Sequence, residues 1–263
     1  MNLGGRTALV TGASGGLGQA IARALAARGA DLVLSARRVD VLEALAAETG
    51  GRVVPCDLSD RAAVERLVAE AGPVDALVCN AGIPGSGALE SFSVEQIDRA
   101  IDVNLRAPIV LTRLIAEGMV ERGGGHIVFV SSLSGKAGTP KTSIYAATKF
   151  GLRGFAQSLR EDLRPHGVGV STVFPGFIRD AGMFHDSGAK LPGYVGTKRP
   201  EDVARAVVKA IEHDRSEIDV APLPLKVGTA IASVVPEAAA IVQRKLGANE
   251  MAARVTDAQR DKR

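Results

Sequence analysis

The chain has no tryptophan and only two tyrosines and seven phenylalanines, so aromatics make up 3% of its 263 residues. Base-stacking surfaces need aromatic side chains set among clustered bases, so no nucleic-acid partner is expected. Cysteine is almost absent too. Cys56 and Cys79 show no Cys-x-x-Cys spacing, which excludes a disulfide framework and a zinc site. His126, His166, His185 and His213 are scattered without ligand spacing, and no metal is expected. No apolar run reaches the roughly 18 residues of a membrane span. Charge of one sign is also missing, with 32 bases against 29 acids spread along the chain for a formal net charge of +3. No basic segment leads into a long apolar stretch at the N-terminus, so no signal peptide is expected and the cytoplasm is the expected location.

What remains is 46% hydrophobic, enough for one well-buried core. Short apolar runs alternate with helical patterns as far as a seventh strand, Glu217-Ile218-Asp219-Val220. That alternation predicts an α/β, Rossmann-like, doubly wound, mostly parallel seven-stranded sheet with helices on both faces. The expected division is a dinucleotide-binding and catalytic unit at 1–222 and a C-terminal apolar, helical extension with a polar tail at 223–263.

The strand Thr7-Ala8-Leu9-Val10 runs into Thr11-Gly12-Ala13-Ser14-Gly15-Gly16-Leu17-Gly18, and an apolar stripe at helical spacing follows. Strand, glycine turn and helix together form a dinucleotide site, because glycines let the backbone approach a pyrophosphate that the helix N–H groups then bind. The expected contacts are Gly12, Ser14, Gly16, Leu17 and Gly18. An NAD enzyme places an acid near the end of the second strand, Asp31-Leu32-Val33-Leu34-Ser35. Ala36, Arg37 and Arg38 stand there instead, so no carboxylate repels a ribose 2′-phosphate and guanidinium is at hand. NADP(H) is therefore the preferred cofactor, with NAD(H) as the alternative.

Tyr145 and Lys149 are four residues apart on a predicted helix and share a face. A free phenol with a pKa of about 10 is a poor proton carrier at neutrality. A cation about 4 Å away, at an effective dielectric of about 20, contributes roughly 4 kcal/mol and would bring the phenol to near 7.

With these motifs the chain resembles the short-chain dehydrogenase/reductase family from about residue 5 to about residue 221. The likeness rests on the glycine turn, Asp57-Leu58, Asn80-Ala81-Gly82, Asn104, Ser132, Tyr145-x-x-x-Lys149 and Pro175-Gly176. The resemblance implies that Asp57 and Leu58 lie by the adenine and that Asn80, Ala81 and Gly82 support the central strand beside the cofactor. It further implies that Asn104 holds a relay water, Ser132 binds the substrate oxygen, Tyr145 is the acid or base, and Lys149 holds the nicotinamide ribose. Each residue alone has a plainer reading: Asn80–Gly82 as a turn, Asn104 as a helix-interior asparagine with a local backbone bond, Ser132 as a cap. Where the family often carries a threonine after Pro175-Gly176, this chain has Phe177-Ile178-Arg179-Asp180, so backbone groups of Phe177 and Ile178 are expected to orient the ring.

Residues Asp180 to Gly196 fall where the family keeps its substrate-covering loop, and Met183, Phe184, Leu191 and Tyr194 suggest an apolar carbonyl substrate. The Asp-Gly-Gly that many acyl-carrier-protein reductases of the family carry after the last strand is replaced by Ala221-Pro222-Leu223-Pro224, which lowers that assignment. The apolar stretch Leu223–Leu246 reads as a helix over the cleft, an oligomer contact, or a peripheral membrane-surface helix. The expected activity is interconversion of a small-molecule carbonyl compound and its alcohol. The rival readings are a non-catalytic NADP(H)-binding regulator and a sugar-nucleotide epimerase or dehydratase. By resemblance, helices Asn104–Met119 and Tyr145–Arg164 pair subunits into a homodimer or homotetramer.

Overall fold

The computed structural model describes residues 1–186, 188 and 195–245. Seven parallel strands form one sheet in the order β3-β2-β1-β4-β5-β6-β7. They are β1 (Thr7–Thr11), β2 (Asp31–Ser35), β3 (Arg52–Val53), β4 (Ala76–Cys79), β5 (Gly125–Val130), β6 (Val168–Pro175) and β7 (Glu217–Val220). The central strands are continuously apolar because helices cover both of their faces. On one face α1 (Gly16–Ala26), α2 (Val39–Thr49) and α8 (Pro200–His213) bury Ile21, Leu25, Leu42, Val207 and Ile211. On the other, α3 (Arg61–Ala71), α5 (Ala107–Glu121) and α6 (Ser143–Leu163) bury Val64, Leu67, Leu111, Ile115 and Leu152. Phe129 in β5 is fully buried and meets Phe155 of α6 edge-on at 5.8 Å. Burying one such side chain contributes about 1.5–3 kcal/mol.

The strand order reverses between β1 and β4, which opens a crevice at the carboxyl ends of these strands. The expected sheet is therefore present, with all strands parallel.

The helix read from Asn104 begins differently. After α4 (Val94–Ile101) the chain makes a π-helical turn, Asp102–Arg106, before α5 starts at Ala107. Pro108 is the cause, because it has no N–H to give the Asn104 carbonyl four residues back. The turn widens, and the Ala107 N–H reaches the Asp102 carbonyl instead.

Beyond β7 the chain forms α9 (Leu223–Val234) and α10 (Pro236–Lys245), which pack on each other. Leu223, Val227, Ile231 and Val234 make an exposed apolar stripe along α9. Pro222, just before α9, abuts Gly196, where an added Cβ would lie 2.8 Å from the proline ring. Leu191, Tyr194 and everything after Lys245, including the polar tail, lie outside the described residues.

His126 on β5 is buried and its Nε2 lies 2.7 Å from Ser171 Oγ on β6. Burial pushes the imidazole from 6.5 down to about 4, against an opposing pull from Asp214. Above pH 6.5 the ring is neutral whether the chain is folded or not. Below it the unfolded chain takes up a proton that the folded state refuses until about pH 4, so stability falls across that window. The full loss is about 3 kcal/mol. Urea unfolding should give a smaller free energy at pH ~5 than at pH ~7, and His126→Gln should flatten the difference. Equal values for the parent chain would contradict this reading.

Candidate active site

Thr11 ends β1 beneath the crevice. Its hydroxyl donates to the Val78 carbonyl at 3.3 Å and accepts from the Asn80 and Ala81 amides at 3.1 and 3.2 Å. The Asn80 side-chain amide donates to the carbonyls of Thr11 and Gly12 at 3.1 and 3.2 Å. Asn80 thus staples the end of β4 to the end of β1. Gly12 sits at φ +65°, and a Cβ there would lie 2.7 Å from Ala81 Cα, so only glycine fits.

At the start of α1, Gly15 offers no side-chain cap and no acid occupies the first turn. The orphan N–H groups and the positive end of the helix dipole face the crevice with no side chain answering them. Leu17 lines the crevice beside them. That donor set fits a diphosphate.

The two arginines after β2 part company. Arg38 donates to the carbonyl of Ser14 at 2.5 Å and so braces the glycine turn. The Arg37 side chain is exposed and lies 4.0 Å from the Asp57 carboxylate. Burial alone would raise the Asp57 pKa, but the Ser59 amide and hydroxyl, with Arg37 and Arg99 nearby, hold it below the usual carboxylate value. Arg38 thus spends one amino group on the turn, while the Arg37 guanidinium makes no hydrogen bond among the described residues and has an acid beside it. Leu58, next to Asp57, is buried.

Lys149 is 2% exposed, and its ammonium donates to the carbonyl of Val130 at 3.1 Å. The helix comes this close because Gly135 has no side chain: a Cβ there would lie 2.7 Å from the Lys149 carbonyl oxygen. Ser131 Oγ bonds the same carbonyl at 3.2 Å. Tyr145 is half-buried, and its amide donates to the Gly85 carbonyl at 3.2 Å. The Ser132 hydroxyl lies near the phenol and draws its pKa down. Ser132 Oγ also accepts from the Ser134 amide at 3.1 Å, so the capping reading and the site reading both hold.

The pKa expected for Tyr145 is overturned. Burial pushes the phenol up to about 12, with the Ser132 hydroxyl pulling the other way, and burial lowers Lys149 to about 8. The ammonium lies 5.6 Å from the ring centre and is turned to a backbone carbonyl. At that distance it does not offset the desolvation of the phenolate.

Asn104 is fully buried and both ends of its side chain engage Ile83, Oδ1 accepting from the amide at 2.8 Å and Nδ2 donating to the carbonyl at 2.9 Å. Any water held by this residue must therefore use its main-chain carbonyl, the one that Pro108 leaves without an α-helical donor. Phe177 also departs from expectation. Its carbonyl accepts from the Lys198 amide at 3.0 Å, in a bridge that leaves the amide and carbonyl of Ile178 out. Ile178 is thus the better placed of the two to orient a ring.

Ser132, Tyr145, Lys149, Pro175, Gly176 and Phe184 line one cavity of about 160 Å³. It is narrow because the loop after β6 lies across it. Ala181 rests against Gly16, and Met183 comes near Gly82. Gly82 in turn lies between the Asn104 side chain and the Lys149 ammonium. Thr11, Gly85 and Ser131 were missed in the sequence, although buried hydroxyls at strand ends facing a switch point are a readable signal.

The sequence profile of the short chain dehydrogenases matches residues 6–192. The chain belongs to this family. It is 39% identical over 232 residues to the ketoacyl reductase HetN of Nostoc sp., covering 85% of this chain and 81% of that protein. It is 36% identical to the 3-oxoacyl-[acyl-carrier-protein] reductase FabG of Rickettsia conorii, covering 79% and 89%. Among solved structures, a short-chain dehydrogenase from Sphingobium yanoikuyae in complex with NADPH superposes with a TM-score of 0.74 at 32% identity, covering 81% of this chain and 87% of that one. This dehydrogenase is accordingly an NAD(P)-dependent oxidoreductase acting on C=O and CH–OH groups.

Asn104→Leu keeps the size but leaves the Ile83 amide and carbonyl buried without partners. It should cost about 2–4 kcal/mol in urea unfolding. A loss below about 0.5 kcal/mol would show that Asn104 does not hold this turn.

Proposed function

We propose that this dehydrogenase reduces an apolar ketone or aldehyde with NADP(H), NAD(H) serving as the weaker alternative. The observation that carries the reading is the Ser132–Tyr145 hydroxyl pair at the mouth of a cavity walled by Phe177, Met183 and Phe184. The relatives' names point to 3-oxoacyl compounds, ketones with an apolar chain, as the first substrates to try. The carrier-protein part of those names is not adopted, because Ala221-Pro222-Leu223-Pro224 replaces the Asp-Gly-Gly.

The cofactor, when bound, supplies the hydride that reduces the carbonyl carbon. The protein's part is orientation and a proton. The orphan N–H groups of α1, with Gly12, Ser14, Gly16 and Gly18, hold the diphosphate. Asp57 and Leu58 bound the adenine end, and Arg37 forks onto a 2′-phosphate. Pro175, Gly176 and Ile178 would orient the nicotinamide, and Asn80, Ala81 and Gly82 would support the central strand beside the cofactor. Ser132 and Tyr145 donate hydrogen bonds to the substrate oxygen as negative charge grows there. A phenol held near 12 is fully protonated at neutral pH and ready as the acid. Lys149 binds ribose hydroxyls and, with a water on the Asn104 carbonyl, returns the proton to Tyr145.

A homodimer or homotetramer through α5 and α6 belongs to the same reading, supported by the exposed Leu114 and Phe150 on these helices.

Tyr145→Phe should lower kcat by about 10²–10⁴-fold while NADPH still binds, measured by NADPH oxidation on a ketone panel that includes 3-oxoacyl thioesters. Retained turnover would overturn the acid role, and NADPH binding without turnover of any ketone by the parent chain would favour the regulator reading. Arg37→Ala should weaken NADPH by about 10–100-fold with little change for NADH, read from the two KM values. Equal losses for both cofactors would remove Arg37 from the 2′-phosphate.

A further inference from the structure

A second cavity lies at the other end of the sheet. It occupies about 400 Å³ below the amino ends of β1, β4, β5 and β6, lined by Arg6, Asp75, Arg122, Arg160, Arg164 and the glycine run 123–125. Nothing in the reductase reading uses it.

Its charge is unbalanced toward cations, and the unsatisfied donors are identifiable. Arg160 is committed, forked onto both Asp214 oxygens at 2.7 and 2.8 Å and donating to the Val170 carbonyl at 2.7 Å. The other three guanidiniums are loosely held. Arg6 and Arg122 share Asp75 at 3.7 and 3.9 Å, beyond hydrogen-bonding distance, while Asp75 Oδ2 accepts from the Thr7 amide at 3.0 Å. Arg122 spends one amino group on the Val74 carbonyl at 2.7 Å, which leaves the rest of its fork available. Arg164 lies 3.8 Å from Glu161 and is largely exposed. Among the described residues neither the Arg6 nor the Arg164 guanidinium has a hydrogen-bond partner.

Three guanidiniums with N–H groups to spare around a concave space match a phosphate oxygen set, since paired N–H groups recognise such anions bidentately. A cavity of this size exceeds what one inorganic phosphate fills and falls in the small-ligand range of about 300–1,000 Å³. Its lining holds no aromatic apart from His126, which is buried against Ser171, so there is no platform for a base. Gly124 borders this space, and a Cβ there would meet nothing within 4 Å, so a larger side chain fits at this edge.

We propose that this cavity binds a small phosphate compound with two or more negative charges and no aromatic ring, held by Arg6, Arg122 and Arg164. A sugar phosphate and an inorganic diphosphate share that chemistry.

The test is isothermal titration calorimetry on the full chain at fixed ionic strength, with inorganic pyrophosphate and fructose 1,6-bisphosphate as probes. The parent chain should bind at least one probe saturably. The double variant Arg6→Ala/Arg164→Ala and the single variant Gly124→Glu should each weaken it at least ~10-fold, with NADPH affinity unchanged. The tighter probe identifies the source. If Gly124→Glu fails to fold, the arginine pair alone decides. No saturation by about 10 mM, or variants that bind like the parent chain, would overturn the proposal; the latter would place the anion on the glycine turn instead.

Discussion

A lysine ammonium buried beside Tyr145 and held by the Val130 carbonyl is the contact on which the rest of the site depends. Burying a charge costs several kcal/mol unless polar groups receive it. Here the carbonyl at the end of β5 receives it, and α6 must therefore dock on β5 at close range. Gly135 makes that approach sterically feasible, and Ser131 fixes its depth. Once α6 is seated, Tyr145 faces Ser132 across the crevice with no further adjustment.

That geometry gives Tyr145 a defined resting state. With the lysine fully and the tyrosine partly withdrawn from water, the tyrosine is pushed toward its neutral form and the lysine is made easier to deprotonate. The phenol is thus kept in its protonated form. The two ends of the sheet divide the work. Carboxyl ends carry hydroxyls, glycines and an uncapped helix start, while the amino ends carry arginines, aspartates and the buried His126.

Much of this was legible in the sequence, for physical reasons. Strands β1, β2, β4 and β5 stand out because strands covered on both faces become apolar runs, while the edge strand β7 shows only as the alternation Glu217-Ile218-Asp219-Val220. The glycine turn is legible because only glycine tolerates the Gly12 conformation and its contact with Ala81. Spacing alone placed Tyr145 and Lys149 on one face, but their pKa values depend on burial and on what else the ammonium touches, and neither is visible in a string. The separate fates of Arg37 and Arg38 were hidden for the same reason, since neighbours on a chain can face different partners. The π turn was readable in principle: Pro108 announces that Asn104 loses its donor. The role of the α9 stripe was not legible, because an apolar helix face looks the same whether it meets a cleft, a second subunit or a lipid surface.

The central claim is that burial keeps Tyr145 protonated in the cofactor-free protein. With no tryptophan and only Tyr145 and Tyr194 in the chain, a Tyr194→Phe variant reports Tyr145 ionisation alone through phenolate ultraviolet absorbance. The account predicts no phenolate at neutral pH, with ionisation deferred beyond the ordinary value of 10 toward about 12. A phenolate that forms near pH ~7 without cofactor would contradict it and restore the direct lysine-driven depression.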